Sequence, residues 1–274
     1  LPWSKLFGPA IRLAEEGFNI SPRLHSLIKI DRFLKIFKAS REFFYTKDGY
    51  AKPVGTRLVN KPLANTFRKI AEGGSAVFYT GPIAAEIINT IRAAKINPGR
   101  MKLKDLTAYR AVKRKPVCSF YRKWLVCGMP PPTSGGVATL QILGLLQGSN
   151  LSKLTPGSSA AIHLITEASR LAFADRSKYL ADEDFVAVPK SRLIDPGYLA
   201  KRAQLISVEK SMGKAKAGII KRKSVENLGS YKSYEGESTS HISIVDSDRN
   251  AVSMTSSIEN AFGSRLMVRG FLLN

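Results

Sequence analysis

The stretch that most narrows what this chain can fold into is 239–257, TSHISIVDSDRNAVSMTSS. Successive residues alternate: Thr239, His241, Ser243 and Val245 point one way, and Ser240, Ile242, Ile244 and Asp246 the other. SDRN makes a turn, and AVSMTSS returns as a second strand. The pattern predicts a β-hairpin. The segment before it, 207–237, loses all periodicity and is dominated by Lys, Gly and Ser, as in a linker or mobile loop. A Thr thus heads a strand directly after a loop. Many strands begin with Thr, so this placement alone assigns no chemistry.

Upstream the chain reads as helix-rich. Leu6, Ala10, Leu13 and Ala14 fall at helical spacing, with Gly17 as the stop. Ser21 and Pro22 open a second helix as N-cap and first-turn proline, and its apolar residues run on irregularly to Leu34 and Phe37. PLANTFRKIA (62–71) is a helix ended by Gly73-Gly74. A short apolar piece then leads into a helix from about Pro82, and Asp105 is set to cap the next. At 128–148, three prolines fix an extended approach, Ser134 is placed to cap the following helix, and Gly135-Gly136 allow close backbone approach. No Gly-Lys-Ser/Thr follows, so this is not a phosphate loop. Ala161, Leu164, Ile165, Ala168, Leu171 and Ala172 share one face of a helix over 158–174, on which His163 and Glu167 are four apart and able to pair. His163 reads as structural, and the DEDF cluster (182–185) as a solvated turn.

Composition excludes some functions. Of 274 residues, 43 are basic and 21 acidic, a formal charge of +22, yet the basic residues are spread along the chain with no nucleic-acid-binding motif. Lys210 to Lys223 reads as solvated loop. No run of 18 apolar residues exists, so no membrane-spanning helix is expected in this segment, and no leader segment is visible in it. His25, His163 and His241 show no metal spacing, so neither metal nor cofactor is expected. A hairpin turning at Arg122-Lys123 places Cys118 opposite Cys127 in a non-hydrogen-bonded pair, where side chains lie closest. That leaves two readings, a disulfide in an oxidising compartment or two buried thiols.

Six segments recur in order along nearly the whole chain: LPWSKLFGPAIRLAEEGF, FYTGPIA, DLTAYRAV, PPPTSGGV, ADRSKYLADEDF and TSHISIVDSDRNAVSMTSSIENAFGS. In them the sequence resembles the γ-glutamyltranspeptidases, which are N-terminal-nucleophile hydrolases. The resemblance implies an α/β (α+β) fold, a four-layer αββα sandwich that is incomplete in this segment. It implies self-cleavage between Ser238 and Thr239, so that 1–238 is the C-terminal part of a large subunit and 239–274 the start of a small one, within one structural domain. Thr239 is then the nucleophile, and its freed α-amino group the base. Ser257 matches a hydroxyl residue that bonds the nucleophile. Glu259 stands at a substrate-contacting position where members commonly have Asn. Arg249 stands where the family's turn often has Gly, and a positive φ there strains the turn.

By the same resemblance the reaction is hydrolysis or transfer of a γ-glutamyl group from glutathione-like compounds to water, an amino acid or a peptide, with periplasmic or secreted location. A glutaryl or cephalosporin-type acylase of the same fold is one alternative, and an inactive basic fragment another. Both chain ends look cut. The family's carboxylate-clamping Arg would lie before Leu1, and its oxyanion residues after Asn274, so this segment alone is expected to be inactive.

Overall fold

Helix α1 (Gly8–Glu16) follows a 3-10 turn at Trp3–Phe7 and stops at Gly17. Gly17 has φ 81°, and a Cβ there would overlap the Leu58 backbone, so only glycine fits this close approach. The stop lets β1 (Phe18–Asn19) pair antiparallel with β2 (Arg57–Leu58). The computed structural model describes residues 1–220 and 239–274, which cluster as two units, 1–111 with 239–274 and 112–220. Ser238 and the expected linker residues 221–237 lie outside the described residues.

In the first unit, α2 (Pro22–Ile30) has the expected Ser21 cap, whose hydroxyl accepts from Leu24 N–H at 3.1 Å. The helix ends at Asp31 instead of running to Phe37. The Asp31 carboxylate takes the N–H groups of Phe33 (2.9 Å) and Leu34 (2.8 Å), which turns the chain into a 3-10 turn and then α3 (Lys38–Phe44). Helix α4 (Lys61–Thr80) does not end at Gly73-Gly74: it has a break at Gly74 (φ 70°), and the short apolar piece that follows is its helical continuation. Then come α5 (Pro82–Arg92) and α6 (Leu103–Thr107). Asp105 sits at the third position of α6 instead of the cap, where its carboxylate takes the Lys102 N–H at 2.8 Å.

In the second unit, β3 (Val117–Tyr121) and β4 (Trp124–Gly128) pair in the expected register, and Cys118 and Cys127 are joined as a disulfide with Cα atoms 4.1 Å apart. Helix α7 (Gly135–Leu145) begins where Gly136 meets Gly128 and Met129 so closely that any Cβ would strike the Met129 carbonyl. Ser134 does not cap it; its hydroxyl instead accepts from Arg176 Nε at 2.8 Å. Helix α8 (Ser159–Tyr179) buries Leu164, Ala168 and Leu171 with Leu145 and Leu199, and α9 (Lys190–Leu193) and α10 (Pro196–Ala203) complete the unit. The described part of the expected linker, 207–220, has no regular structure, yet it is not a solvated loop. Met212, Ala215, Ala217 and Ile220 pack on the unit's apolar clusters. Two buried carboxylates on α8 hold it: Glu167 takes Ser211 Oγ and Met212 N–H, both at 2.7 Å, and Asp175 takes Gly218 N–H at 2.7 Å.

The chain returns to the first unit as β5 (Thr239–Val245) and β6 (Ala251–Ser257), then β7 (Met267–Val268) and β8 (Phe271–Leu272). Phe262 enters the core of Ile20, Ile28, Leu34 and Phe44, and Val268 and Leu273 join Ile83 and Ile87. Each such buried side chain contributes about 1.5–3 kcal/mol. The described strands form four two-stranded antiparallel ladders. The described part of the fold is therefore mixed helix and strand. No helix among the described residues is long and apolar enough to cross a membrane.

Candidate active site at the head of a hairpin

The β5–β6 register pairs Thr239 with Ser257, His241 with Thr255 and Ser243 with Ser253. With a period of two, these rungs share one face, while Ile242–Met254 and Ile244–Val252 share the other. Register is set at the turn. Asp246 Oδ1 accepts from the N–H groups of Asp248 (3.0 Å) and Asn250 (2.7 Å), and Oδ2 from Asn250 Nδ2 (2.8 Å). These bonds, the Asn250 amide foremost, hold the Asp246 carboxyl below its usual range. Arg249 has φ 65°, the strained value expected of a side chain at that turn position.

At the open end of the hairpin, Thr239 Oγ1 donates to Ser257 Oγ at 3.0 Å. The same oxygen accepts the Glu259 N–H at 3.1 Å. Glu259 is exposed and has φ 63°, in the left-handed region. His241 lies two rungs away, next along the same face. Its Nδ1 is 2.8 Å from Thr255 Oγ1, and its Nε2 is 3.1 Å from Ser243 Oγ and 3.2 Å from Ser253 Oγ. Both ring nitrogens are thus engaged along the hydroxyl face, and none of these partners is Thr239. Ser238, the other half of the expected cleavage site, lies outside the described residues.

A cavity of about 390 Å³ opens at this end of the hairpin, lined by Thr239, Ser240, Ser256 and Ser257 and, from α2, by Arg23 and Leu27. Arg23 is the one charged residue among its described lining residues. No local pattern marks it, since 216 positions separate it from Thr239. A larger cavity of about 680 Å³ lies within the second unit, beside the C-terminal end of α7 and one face of α10. Its described lining carries no titratable side chain, so it offers no acid, base or activated nucleophile.

The other candidates resolve as structural. His25 Nδ1 is 2.9 Å from Lys52 O, and His163 Nε2 is 2.7 Å from Ser207 O; Glu167 bonds the 211–212 backbone and side chain and lies 3.2 Å from Arg170 Nε. In the acidic cluster, Asp184 is paired with Arg114 at 2.6 Å and Glu183 with Lys190 at 2.8 Å, so protein cations occupy it. Among the described residues no group of His, Cys, Asp or Glu is arranged to hold a metal ion.

Comparison with known proteins gives the following. The sequence model of one family, gamma-glutamyltranspeptidase, matches residues 1–274. The chain is 36% identical over 278 residues to the glutathione hydrolase proenzyme of Escherichia coli K12, covering 100% of this chain and 46% of that protein. It is 33% identical over 270 residues to the acylase ACY 1 proenzyme of a Pseudomonas species (strain SE83), covering 98% and 46%. Among solved structures it resembles the gamma-glutamyltranspeptidase of Helicobacter pylori with a TM-score of 0.71 and 37% identity, over 78% of this chain and 61% of that one. The chain spans about half the length of the curated relatives it matches.

Proposed function

Since the chain belongs to the γ-glutamyltranspeptidase family, we propose that the protein carrying it is a γ-glutamyl hydrolase and transferase that activates itself by cleavage between Ser238 and Thr239. The observation that carries the reading is the Thr239–Ser257 hydroxyl pair, 3.0 Å apart at the open end of the hairpin and on the wall of a cavity. A Thr hydroxyl is a weak nucleophile and needs a base. Cleavage would free the Thr239 α-amine, whose ordinary pKa of about 8 suits proton transfer near neutral pH. Ser257 orients the hydroxyl. Thr239 Oγ1 then attacks the γ-carbonyl, and the amine takes its proton and passes it to the leaving amine. Water or an amino acid or peptide amine releases the acyl group. No cofactor or metal is needed for these steps.

Glu259 lies beside Ser257 and is proposed as a substrate-contacting residue. Its carboxylate suits a substrate α-ammonium and opposes an α-carboxylate. The likeness to an acylase proenzyme supports a second reading in which the acyl group is glutaryl, against which stands the Glu259 charge, since a glutaryl group keeps the carboxylate that Glu259 opposes and lacks the ammonium that it suits. Comparison of γ-glutamyl with glutaryl amides separates the two, since only the first has an α-ammonium. The subunit division at 238/239 and a periplasmic or secreted location belong to the same proposal; the Cys118–Cys127 disulfide suits an oxidising compartment.

The test is expression of the full-length protein. The wild type should give two bands on a denaturing gel and release dye from a γ-glutamyl anilide, and Thr239→Ala should give one band and no dye. Two bands from the Ala variant would remove Thr239 from its role.

A further inference from the structure

We propose that the β3–β4 hairpin docks the protein on an anionic lipid bilayer, an inference independent of the role of Thr239. The register divides the hairpin into two faces. Val117 and Val126 lie on the inner one, where they join the cluster of Val137 and Leu140 from α7. Phe120, Leu125 and the Cys118–Cys127 disulfide form the outer one. Phe120 is 67% exposed, Leu125 58%, and Trp124 at the tip 63%. Large apolar side chains grouped on one exposed ribbon, unlike ones scattered singly, mark a contact surface. The charges around them say of what kind. Residues 112–128 hold five basic residues and no acidic one. Arg114 is paired with Asp184 at 2.6 Å, whereas Lys113, Lys115, Arg122 and Lys123 have no ion pair among the described residues. Lys123 Nζ stands 5.1 Å from the Trp124 ring centre, so cation and indole occupy one spot at the tip. An apolar face rimmed by cations matches both layers of an anionic bilayer surface: the acyl region takes Phe120, Leu125 and Trp124, and the phosphates take the lysines and Arg122. The same rim argues against a covering by another part of the protein, which would strip water from those cations. Nucleic acid would meet the same charge, but Phe120, Leu125 and a disulfide offer bases and phosphates no hydrogen-bonding side chain. The tip is also set in advance. Arg122 N–H donates to Gln147 Oε1 at 3.1 Å and Arg122 Nη2 to Ser149 O at 3.2 Å, so little ordering is needed on contact.

The test sediments full-length protein with vesicles of phosphatidylcholine alone and with about one-third phosphatidylglycerol, at about 0.1 M and about 0.5 M salt. Wild type is compared with Phe120→Ser/Leu125→Ser and with Lys115→Gln/Lys123→Gln, all at exposed positions, and thermal scans check that both variants melt with wild type. Wild type should bind the anionic vesicles about tenfold or more tightly than the neutral ones at the lower salt. The apolar pair should weaken that binding about tenfold, and the basic pair about threefold with a smaller salt dependence. A second measurement needs no polar substitution. Lipid brominated on its acyl chains should quench wild-type fluorescence more than that of Trp124→Phe, and equal quenching overturns the proposal. So do absence of binding, binding without preference for the anionic vesicles, and folded variants that bind as wild type does. Binding of a duplex oligonucleotide that the same variants weaken, with vesicles left unbound, also overturns it and assigns the face to nucleic acid.

Discussion

Ser257 receives two hydrogen bonds at one oxygen, from the Thr239 hydroxyl and the Glu259 N–H. The second fixes where that oxygen stands, and the first aims the Thr239 hydroxyl, the proposed nucleophile, at it. Ser257→Ala should therefore lower kcat of the processed full-length enzyme roughly tenfold, about 1.4 kcal/mol, with little change in KM, and Ser257→Thr should retain activity. A purely KM effect would place Ser257 in substrate binding instead. The pairing was legible because the hairpin is symmetric about its turn: counting outward from Asp248 brings residues 239 and 257 to the same rung. Arg23 was not legible. Nothing local to SPRL marks which distant strand its side chain will face, and long-range juxtaposition is what a linear pattern lacks.

Elements governed by short-range periodicity were read well. Both long hairpins follow from alternation and a compact turn, and the Cys118–Cys127 register came with them. Elements governed by side chains arriving from elsewhere were not. Ser134 resembles a helix cap until Arg176, in the last turn of α8, takes its oxygen. The 207–220 segment has the composition of a solvated loop, yet Glu167 and Asp175, falling on the same stripe of α8 as Leu164, Ala168 and Leu171, bind it. Two acids on an apolar stripe were the available signal. The Met212 N–H, then the Ser211 hydroxyl and Arg170, hold the Glu167 carboxyl below its ordinary range against the opposing effect of burial. A depressed carboxyl stabilises the fold above its unfolded pKa of about 4.3 and ceases to as pH falls through the lowered folded value. Glu167→Gln should thus melt a few degrees below wild type at pH 7, and the gap should narrow at about pH 3. A gap that is the same at both pH values, read by thermal scans, would show that the charge contributes nothing.

At the scale of the whole chain, the residues after the hairpin are threaded through helices that precede it. Ser40 Oγ donates to Arg265 O at 2.6 Å, Asn60 Nδ2 to Gly270 O at 2.8 Å, and Thr66 Oγ1 to Arg269 O at 3.1 Å. Arg265 pairs with Asp31 at 3.0 Å, and Phe262 stacks edge-on against Phe44 with centroids 5.2 Å apart. After cleavage before Thr239, the two fragments should therefore co-elute from a sizing column in native buffer and separate only in denaturant. Separation in native buffer would mean that these contacts do not outlast the cut. The threading also sets an order of events during synthesis. The second unit is one continuous run, 112–220, and can close once it has left the ribosome; the first draws on both ends of the chain. Until 262–273 has been made, Asp31, Phe44 and Ile83 wait without their partners. A nascent-chain chaperone would find its apolar targets in the helices made first, and the unit begun earliest is the last to finish.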